Sequence, residues 1–432
     1  MIPSISSRLR ACAARFAGRF RAKRPSLAAA SVAPSGAPPR IGIFGLFGSG
    51  NLGNDGSLES FLAFLRSAHP NADLHCICHG TEAVSEHFGI PALPIRSSPP
   101  QSRWLKLLNM LSLRTLSRAL EWGRTIRTAR GFDLVVVPGT GMLDDFGERP
   151  RDMPYHLFRW SLACRLAGTP FAFVSIGAGP IRHPLSRWLM RSAAAMARYR
   201  SYRDVNSKNY MDGIGLKRPD DAVTPDLAFR LPLPSLAPPA AGRRVIGVGM
   251  MGYAGWKHSQ ADGKAIYSAY TAKMTQFVAW LVDQGFGVRL IMGDEGDIQA
   301  MNDVCLAIGQ QAGAMAAHIV AETAQSLTEI MRQIGETELL VATRFHNVVC
   351  GLMMATPVIS LSYAKKNDVL LSEMGLGEFC QHIESLDLDR LKAQFERLMR
   401  DRDDYVPAIA QKAALYREQL AEQEKRLLAA LL

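Results

Sequence analysis

The chain has 432 residues, 48% of them hydrophobic, and a formal net charge of +11. That length exceeds one ordinary core and sets an expectation of two domains of roughly 200 residues each; the composition excludes an intrinsically disordered chain. The sequence has no apolar run of about 18 residues, the length needed for a membrane-spanning helix; the nearest stretch, 348–361, is interrupted by Pro357 and reads as a helix followed by a strand.

The charge is local. Residues 1–40 carry seven Arg, one Lys and no acid, residues 101–130 carry six Arg, one Lys and only Glu121, and the remainder is net acidic. Basicity confined to two segments argues against a broad nucleic-acid-binding face. It suits a basic arm and a patch in peripheral contact with an anionic membrane surface. The arm lacks the continuous apolar core of a secretory signal; its Ala, Arg, Ser and Pro content fits a disordered arm, and also a transit peptide. Seven scattered cysteines point to reduced thiols and a cytoplasmic protein, peripheral on the inner membrane face if the patch is used.

Ile41–Phe44 is a short apolar strand. It runs into Gly48-Ser49-Gly50-Asn51-Leu52-Gly53, a G-x-G-x-x-G loop that opens a helix with apolar residues at Leu58, Phe61, Leu62 and Leu65. Such a loop lets backbone amides approach a phosphate. Asp55 at the helix start would repel a pyrophosphate, however, and Asn51 and Asn54 suit hydroxyl groups. A capping turn with sugar contacts is therefore read ahead of a dinucleotide site. Ala72–Cys78 is the next strand. Its His75-Cys76-Ile77-Cys78-His79 stretch resembles a metal cluster, but alternation puts both His on one face and both Cys on the other. No tetrahedral set forms, so no metal site is expected.

Residues 104–127 read as a basic amphipathic helix. Strands follow at Asp133–Pro138, ending in Gly139-Thr140-Gly141, and at Phe171–Ile176, ending in Gly177-Ala178-Gly179-Pro180. Asp145-Phe146-Gly147 imitates a kinase tripeptide without its companions. After the helix Leu185–Ala197, Arg203 lies beyond the apolar end of Tyr199–Arg203; it is read either as a partner of Asp204 or as a cation aimed at a ligand. Asp226 reads as structural. The Pro-rich stretch 231–243 is the linker. The pattern then restarts: strand Val245–Gly249, helix Tyr267–Gln284, strand Val288–Met292, helix 298–311, strands His318–Val320 and Leu339–Thr343. Amphipathic helices occupy 391–432. Strands alternating with helices imply parallel sheets and two similar α/β halves with a cleft between them.

Ligands of open α/β sheets sit beyond the carboxyl ends of the strands. Arg344 and His346 directly follow Leu339–Thr343, and Lys366 follows Val358–Leu361, so an anion is expected there. Lys366 also fits a solvated charge.

Seven segments in order resemble the polysaccharide pyruvyl transferase family. They are Gly50–Asp55, Pro138–Gly141, Ser175–Ile181, Ser201–Asp204, Pro225–Phe229, Arg344-Phe345-His346 and Tyr363–Asp368. The resemblance implies two Rossmann-like domains in a glycosyltransferase-B-like arrangement. The first would be 41–230 on the acceptor side and the second 244–390 on the donor side, with the basic arm 1–40 and the helices 391–432 outside. It also implies phosphoenolpyruvate as co-substrate, no further cofactor, and a glycan or lipid-linked oligosaccharide acceptor that becomes a pyruvate ketal. The family's cationic positions fall on Arg203, Arg344, His346 and Lys366, with Gly177 and Gly179 on the donor side. The acceptor side would use Asn51, Gly53, Asn54 and Asp55. The family usually reads N-x-G-D-E in the first loop; here Asn51-Leu52-Gly53-Asn54-Asp55 keeps one carboxylate. In the resulting scheme His346 protonates C3, Arg203 and Arg344 stabilise the departing phosphate, and Asp55 takes the hydroxyl proton. A nucleotide-sugar glycosyltransferase and a non-catalytic glycan-binding subunit are the alternatives.

Overall fold

The computed structural model describes residues 38–96, 115–146, 148–236, 244–255, 260–311 and 313–431. Most of the basic arm, the first part of the expected helix 104–127 and the end of the 231–243 linker lie outside these residues.

Two wholly parallel sheets organise the chain. The first contains β1 (Arg40–Phe44), β2 (Asp73–Cys78), β3 (Ala92–Pro94), β4 (Leu134–Pro138), β5 (Phe171–Ile176), β6 (Tyr199–Tyr202) and β7 (Ala222–Val223), in the order β3-β2-β1-β4-β5-β6-β7. The second contains β8 (Val245–Gly249), β9 (Gly287–Ile291), β10 (Ile319–Ala321), β11 (Leu339–Ala342), β12 (Val358–Ser362) and β13 (Cys380–His382), ordered β10-β9-β8-β11-β12-β13. Each is the doubly wound order, which reverses direction beside its first strand and leaves a crevice at the carboxyl ends. Every residue of β4, β5, β11 and β12 is buried. Helices cover both faces of such strands, so uninterrupted apolar runs replace alternation.

The helices are α1 (Leu52–Ala68), α2 (Thr81–Phe88), α3 (Thr115–Arg130), α4 (Met153–Ala167), α5 (Pro184–Met196), α6 (Val205–Gly213), α7 (Gln260–Asp283), α8 (Ile298–Gln311), α9 (Leu327–Gly335), α10 (Phe345–Met353), α11 (Lys365–Glu373), α12 (Leu388–Arg400) and α13 (Arg402–Leu431). None of the described helices is long and apolar enough to cross a membrane. The described part of the basic segment, α3, exposes Arg118, Arg124, Arg127 and Arg130. On β2, Cys76 and Cys78 enter the core beneath α1, while the His75 ring meets Phe132 on the opposite face. His75 and the two Cys thus lie on opposite faces, while His79 falls past the end of β2; no group of three or more His, Cys, Asp or Glu side chains placed to hold a metal occurs among the described residues.

Backbone contacts join the sheets. Leu52 N–H donates to Gly293 O (3.2 Å), and Glu295 N–H donates to Gly50 O (3.1 Å). The Asn51 amide donates to Asp294 Oδ2 at 3.0 Å. The last helix adds a second tie that its amphipathic pattern did not disclose. Beginning at Arg402, α13 runs back to the first sheet, with Pro407 inside it. Arg417 Nε donates to Phe229 O (3.1 Å), Arg230 pairs with Glu424 (2.9 Å), and the Phe229 and Tyr416 rings meet edge to face with centroids 5.1 Å apart. Buried Gln423 donates to Ser175 Oγ (2.9 Å) and accepts from Thr224 Oγ1. Replacing Gln423 by Ala removes two hydrogen bonds and leaves the Ser175 and Thr224 hydroxyls only each other as partners (3.0 Å), a loss of about 0.5–1.5 kcal/mol per bond. Chemical denaturation of Gln423→Ala is expected to show a loss of that size, whereas an exposed change such as Glu418→Ala should lie within about 0.5 kcal/mol of the parent.

Candidate active site

Three segments at strand carboxyl ends build the site. Arg203 follows β6 and precedes Asp204, the N-cap of α6. Its side chain is buried, with the guanidinium carbon 4.4 Å from the centre of the Phe345 ring. Arg203 Nη1 donates to Asp226 Oδ2 at 3.4 Å, Nε lies 3.6 Å from Asp204 Oδ2, and Nε has no hydrogen-bond partner. The expected choice between an Asp204 partner and a cleft cation resolves into both. Gly177 makes this possible: a Cβ there would stand 2.5 Å from Arg203 Nη2. Gly179, at φ +71°, likewise lies under the Tyr210 ring. These two glycines make room for the Arg203 and Tyr210 side chains.

Arg344 N-caps α10 and is held by Asp297, with Nη2–Oδ1 at 2.6 Å and Nε–Oδ2 at 3.0 Å. Asp297 is fully buried and also accepts from Gly252 N–H and Gly293 N–H, both at 3.0 Å. Asp294 lies 3.8 Å away on the same guanidinium. The expectation of a ligand-seeking Arg344 is corrected here: a buried carboxylate already neutralises it, and the pair anchors the 293–297 loop. His346 sits one residue into α10 with its ring against Gly53, where a Cβ would meet Nδ1 at 1.9 Å. Its Nε2 is 3.8 Å from Asp226 Oδ1 and lacks a hydrogen bond. Burial pushes the imidazole down to about 4 against the opposing pull of Asp226, and Arg203, Lys366 and Arg344 act in the same direction as burial. His346 is therefore neutral at pH 7 and ill-suited to the proton-donor role given to it from sequence. Lys366, in the first turn of α11, places its ammonium 5.0 Å from the Tyr363 ring centre and 5.6 Å from that of Phe345.

The glycine-rich loop is occupied by its own side chains. Asn51 Oδ1 accepts from Gly53 N–H and Asn54 N–H, the amides a phosphate would use. Asn54 donates to Leu46 O, and Asp55 accepts from Gly48 N–H at 2.8 Å. Burial raises the Asp55 pKa, and the charges acting on it are His87 and Glu295. Asp55 thus closes a loop away from the cations, which corrects its assignment as the base. Of the residues expected to bind the acceptor, Gly53 touches the cluster, while the side chains of Asn51, Asn54 and Asp55 are engaged within the loop region.

Two acids escaped the sequence reading. Asp226, taken as structural, places its carboxylate between Arg203 and His346 while capping Ala228 N–H (3.0 Å). Asp144 lies beyond β4, next to the Asp145 already noted as part of a false kinase motif. Burial raises its carboxyl to about 6 despite Lys366 and Arg203 nearby. Arg203, Asp226, Phe345, Lys366, Glu373 and Tyr416 help line a small, open cleft.

Two doubly wound parallel sheets with a crevice at their carboxyl ends define a glycosyltransferase-B-like protein. The chain belongs to the polysaccharide pyruvyl transferase family, whose model matches residues 51–365. Among solved structures it is similar to Anabaena HepE in complex with UDP-glucose, at 12% identity and TM-score 0.56, covering 91% of this chain and 100% of that one. It is also similar to a Listeria monocytogenes protein described as a UDP-N-acetylglucosamine 2-epimerase, at 14% identity and TM-score 0.58, covering 91% and 96%. A third is S. aureus MnaA with UDP, at 11% identity and TM-score 0.55, covering 91% and 97%. No curated protein matches the chain.

Two outcomes follow from the packing around His346. Gly→Ala inside a helix ordinarily gains up to about 1 kcal/mol, but at Gly53 the added carbon overlaps the imidazole, so Gly53→Ala is expected to lose about 1–3 kcal/mol in denaturation. A histidine whose folded pKa is about 4 and whose unfolded value is 6.5 binds fewer protons folded than unfolded between those limits. Stability therefore falls as pH drops from 6.5 to 4, by on the order of 3 kcal/mol for this imidazole. Thermal unfolding across that range should show a shallower acid limb in His346→Gln than in the parent; identical limbs would contradict the assignment.

Proposed function

We propose that this protein transfers the pyruvyl group of phosphoenolpyruvate to a hydroxyl pair of a glycan, an exopolysaccharide or its lipid-linked precursor, forming a ketal and releasing phosphate. One observation carries the reading: Arg203 from the first sheet and Lys366 from the second converge on the same Phe345 ring within a protein of this family. Phosphoenolpyruvate presents a carboxylate and a phosphate. Two cations of different shape, one a fork and one a point charge, suit that pair. Three helices begin at the same crevice, after Arg203, at Phe345 and at Lys365, and their N-termini favour anions. Neutral His346 offers one ring nitrogen as a hydrogen-bond donor. Arg344 contributes by fixing α10 through Asp297. The scheme asks for no cofactor beyond the co-substrate. For a lipid-linked acceptor, the basic face of α3 would meet the anionic inner leaflet of the membrane.

A second reading, a nucleotide-sugar glycosyltransferase, is favoured by the UDP and UDP-glucose seen in complexes of similar fold. Isothermal calorimetry separates the two. Phosphoenolpyruvate is expected to bind, and Lys366→Ala to weaken it about 10- to 100-fold, the loss of a charge-assisted contact worth about 1.5–3 kcal/mol. Tight UDP-glucose binding with no heat from phosphoenolpyruvate would decide for the second reading. Glycan binding without phosphate release would instead indicate a non-catalytic subunit.

A further inference from the structure

We propose that the outer surface of α3, α4 and α5 is a docking face for an anionic bilayer: its arginines meet the lipid phosphates, and a band of aromatic rings enters the headgroup layer. The inference extends the basic side of α3 to a three-helix surface. It does not depend on which group the crevice transfers.

The three helices form one layer on a single face of the first sheet. Ala129, Trp160 and Met190, one from each helix, share the hydrophobic cluster beneath them. Ser161 Oγ of α4 donates to Ala193 O of α5 at 2.9 Å. Charge on this layer has one sign. Arg118, Arg124, Arg127 and Arg130 of α3, Arg165 of α4 and Arg187 of α5 are exposed. Glu121 is the only acid within the three helices, and it pairs with buried Arg159. The acids bordering them hold backbone: Asp133 accepts from Arg40 N–H at 2.8 Å, and Asp152 accepts from Arg149 N–H at 3.0 Å. The opposite face of the same sheet differs, because α1 and α2 carry Asp55, Glu59, Glu82 and Glu86 against Arg66 alone. A surface that only meets water mixes the two signs. Arginines without acids among them repel one another until a polyanion covers them.

Apolar side chains accompany the arginines. Leu185 and Trp188, three residues apart and so neighbours on α5, are 48% and 45% exposed. The Trp188 ring rests on half-buried Phe158 of α4, with centroids 5.3 Å apart. One turn earlier on α4, Tyr155 Oη accepts from Trp122 Nε1 of α3 at 3.1 Å. Trp122, Tyr155, Phe158 and Trp188 are thus two contacting pairs that bridge all three helices. Trp and Tyr suit the membrane–water boundary, where the ring leaves water and the polar tip stays wet. Each Arg near an anionic lipid surface adds about fivefold to binding. A nucleic acid would also attract the arginines, but it gives Leu185 no apolar surroundings; a bilayer satisfies both kinds of side chain.

The aromatic end of the layer is the crevice end. α4 and α5 follow β4 and β5, so their first two turns, which carry Tyr155, Phe158, Leu185 and Trp188, lie toward the carboxyl ends of the strands. The loop after β4 holds the start of α5, where Asp145 accepts from Arg182 N–H and His183 N–H, both at 2.9 Å. A bilayer against this face therefore lies at the end of the sheet where Arg203 follows β6.

The test sediments the full chain with vesicles of phosphatidylcholine alone and of phosphatidylcholine mixed with phosphatidylglycerol. Binding is expected on the mixed vesicles only, and weaker at high salt. Changing Arg124, Arg127 and Arg187 together to Gln should lower the partition coefficient about 100-fold. Trp188→Ala should lower it about fivefold, since roughly half of a large side chain remains to be buried. Both sets of side chains are exposed, so thermal unfolding should stay close to that of the parent. Brominated phosphatidylglycerol should quench part of the tryptophan fluorescence of the parent and less of that of Trp188→Phe, a change that keeps an aromatic ring over Phe158. Absence of binding to the mixed vesicles overturns the proposal. So does parent-like binding by the triple Arg variant, which would place the affinity elsewhere, as in the basic arm 1–40, or equal quenching in the parent and Trp188→Phe. Binding to a single-stranded RNA that needs the three Arg but not Trp188, with no affinity for vesicles, overturns it in favour of a nucleic-acid face.

Discussion

The Arg203 guanidinium, 4.4 Å from the centre of the Phe345 ring, couples the two sheets at the crevice. A desolvated cation over an aromatic face is worth about 2 kcal/mol, small beside the shared hydrophobic core. Its position matters more than its energy. Arg203 ends a strand of the first sheet and Phe345 opens a helix of the second, so a shift between the sheets would separate them. Gly177 beneath and Asp226 beside the guanidinium fix its plane, and through Asp226 the same contact reaches His346.

Charge is divided between two tasks at this crevice. Arg344 and Asp297 form a buried pair, which is costly to break and adds little net stability over an apolar substitute. Its value is geometric: Asp297 also binds two backbone N–H groups, and the loop it stabilises contacts the first sheet through Asp294 and Gly293. With that pair satisfied, the cations facing the cleft are Arg203 and Lys366. Both lie over aromatic rings; Arg203 is also shared with Asp226 and Asp204, whereas Lys366 has no ion pair among the described residues. An incoming anion can then supply the countercharge.

Much of this was legible in the chain. β4, β5, β11 and β12 declare themselves because parallel strands covered on both faces need continuous apolar runs. The positions of Arg203, His346 and Lys366 follow from the rule that ligands gather beyond strand carboxyl ends. The edge strands β3, β7 and β13, of two or three residues, carry too little pattern to be read. The partner of Arg344 lies 47 residues away and that of Gln423 lies 248 away, and nothing in either local sequence announces the pairing. Asp144 was hidden differently. It follows Gly139-Thr140-Gly141 in the chain, but the burial that raises its pKa and the cations that lower it are brought to it only by the fold.

The glycines supply the last step. Read as a string, Gly48–Gly53 announces a phosphate cradle, yet Asn51 occupies the amides that a phosphate would take. Gly53 has another use: the absent side chain leaves the space that the His346 ring fills. Gly177 gives Arg203 its place in the same way. In both cases a small residue, Gly53 in the first turn of α1 or Gly177 just past β5, brings a functional side chain close to backbone. Contact with a neighbouring backbone excludes water from His346, and that exclusion keeps the imidazole neutral. The protonation state of the imidazole in the crevice is therefore set partly by a residue with no side chain.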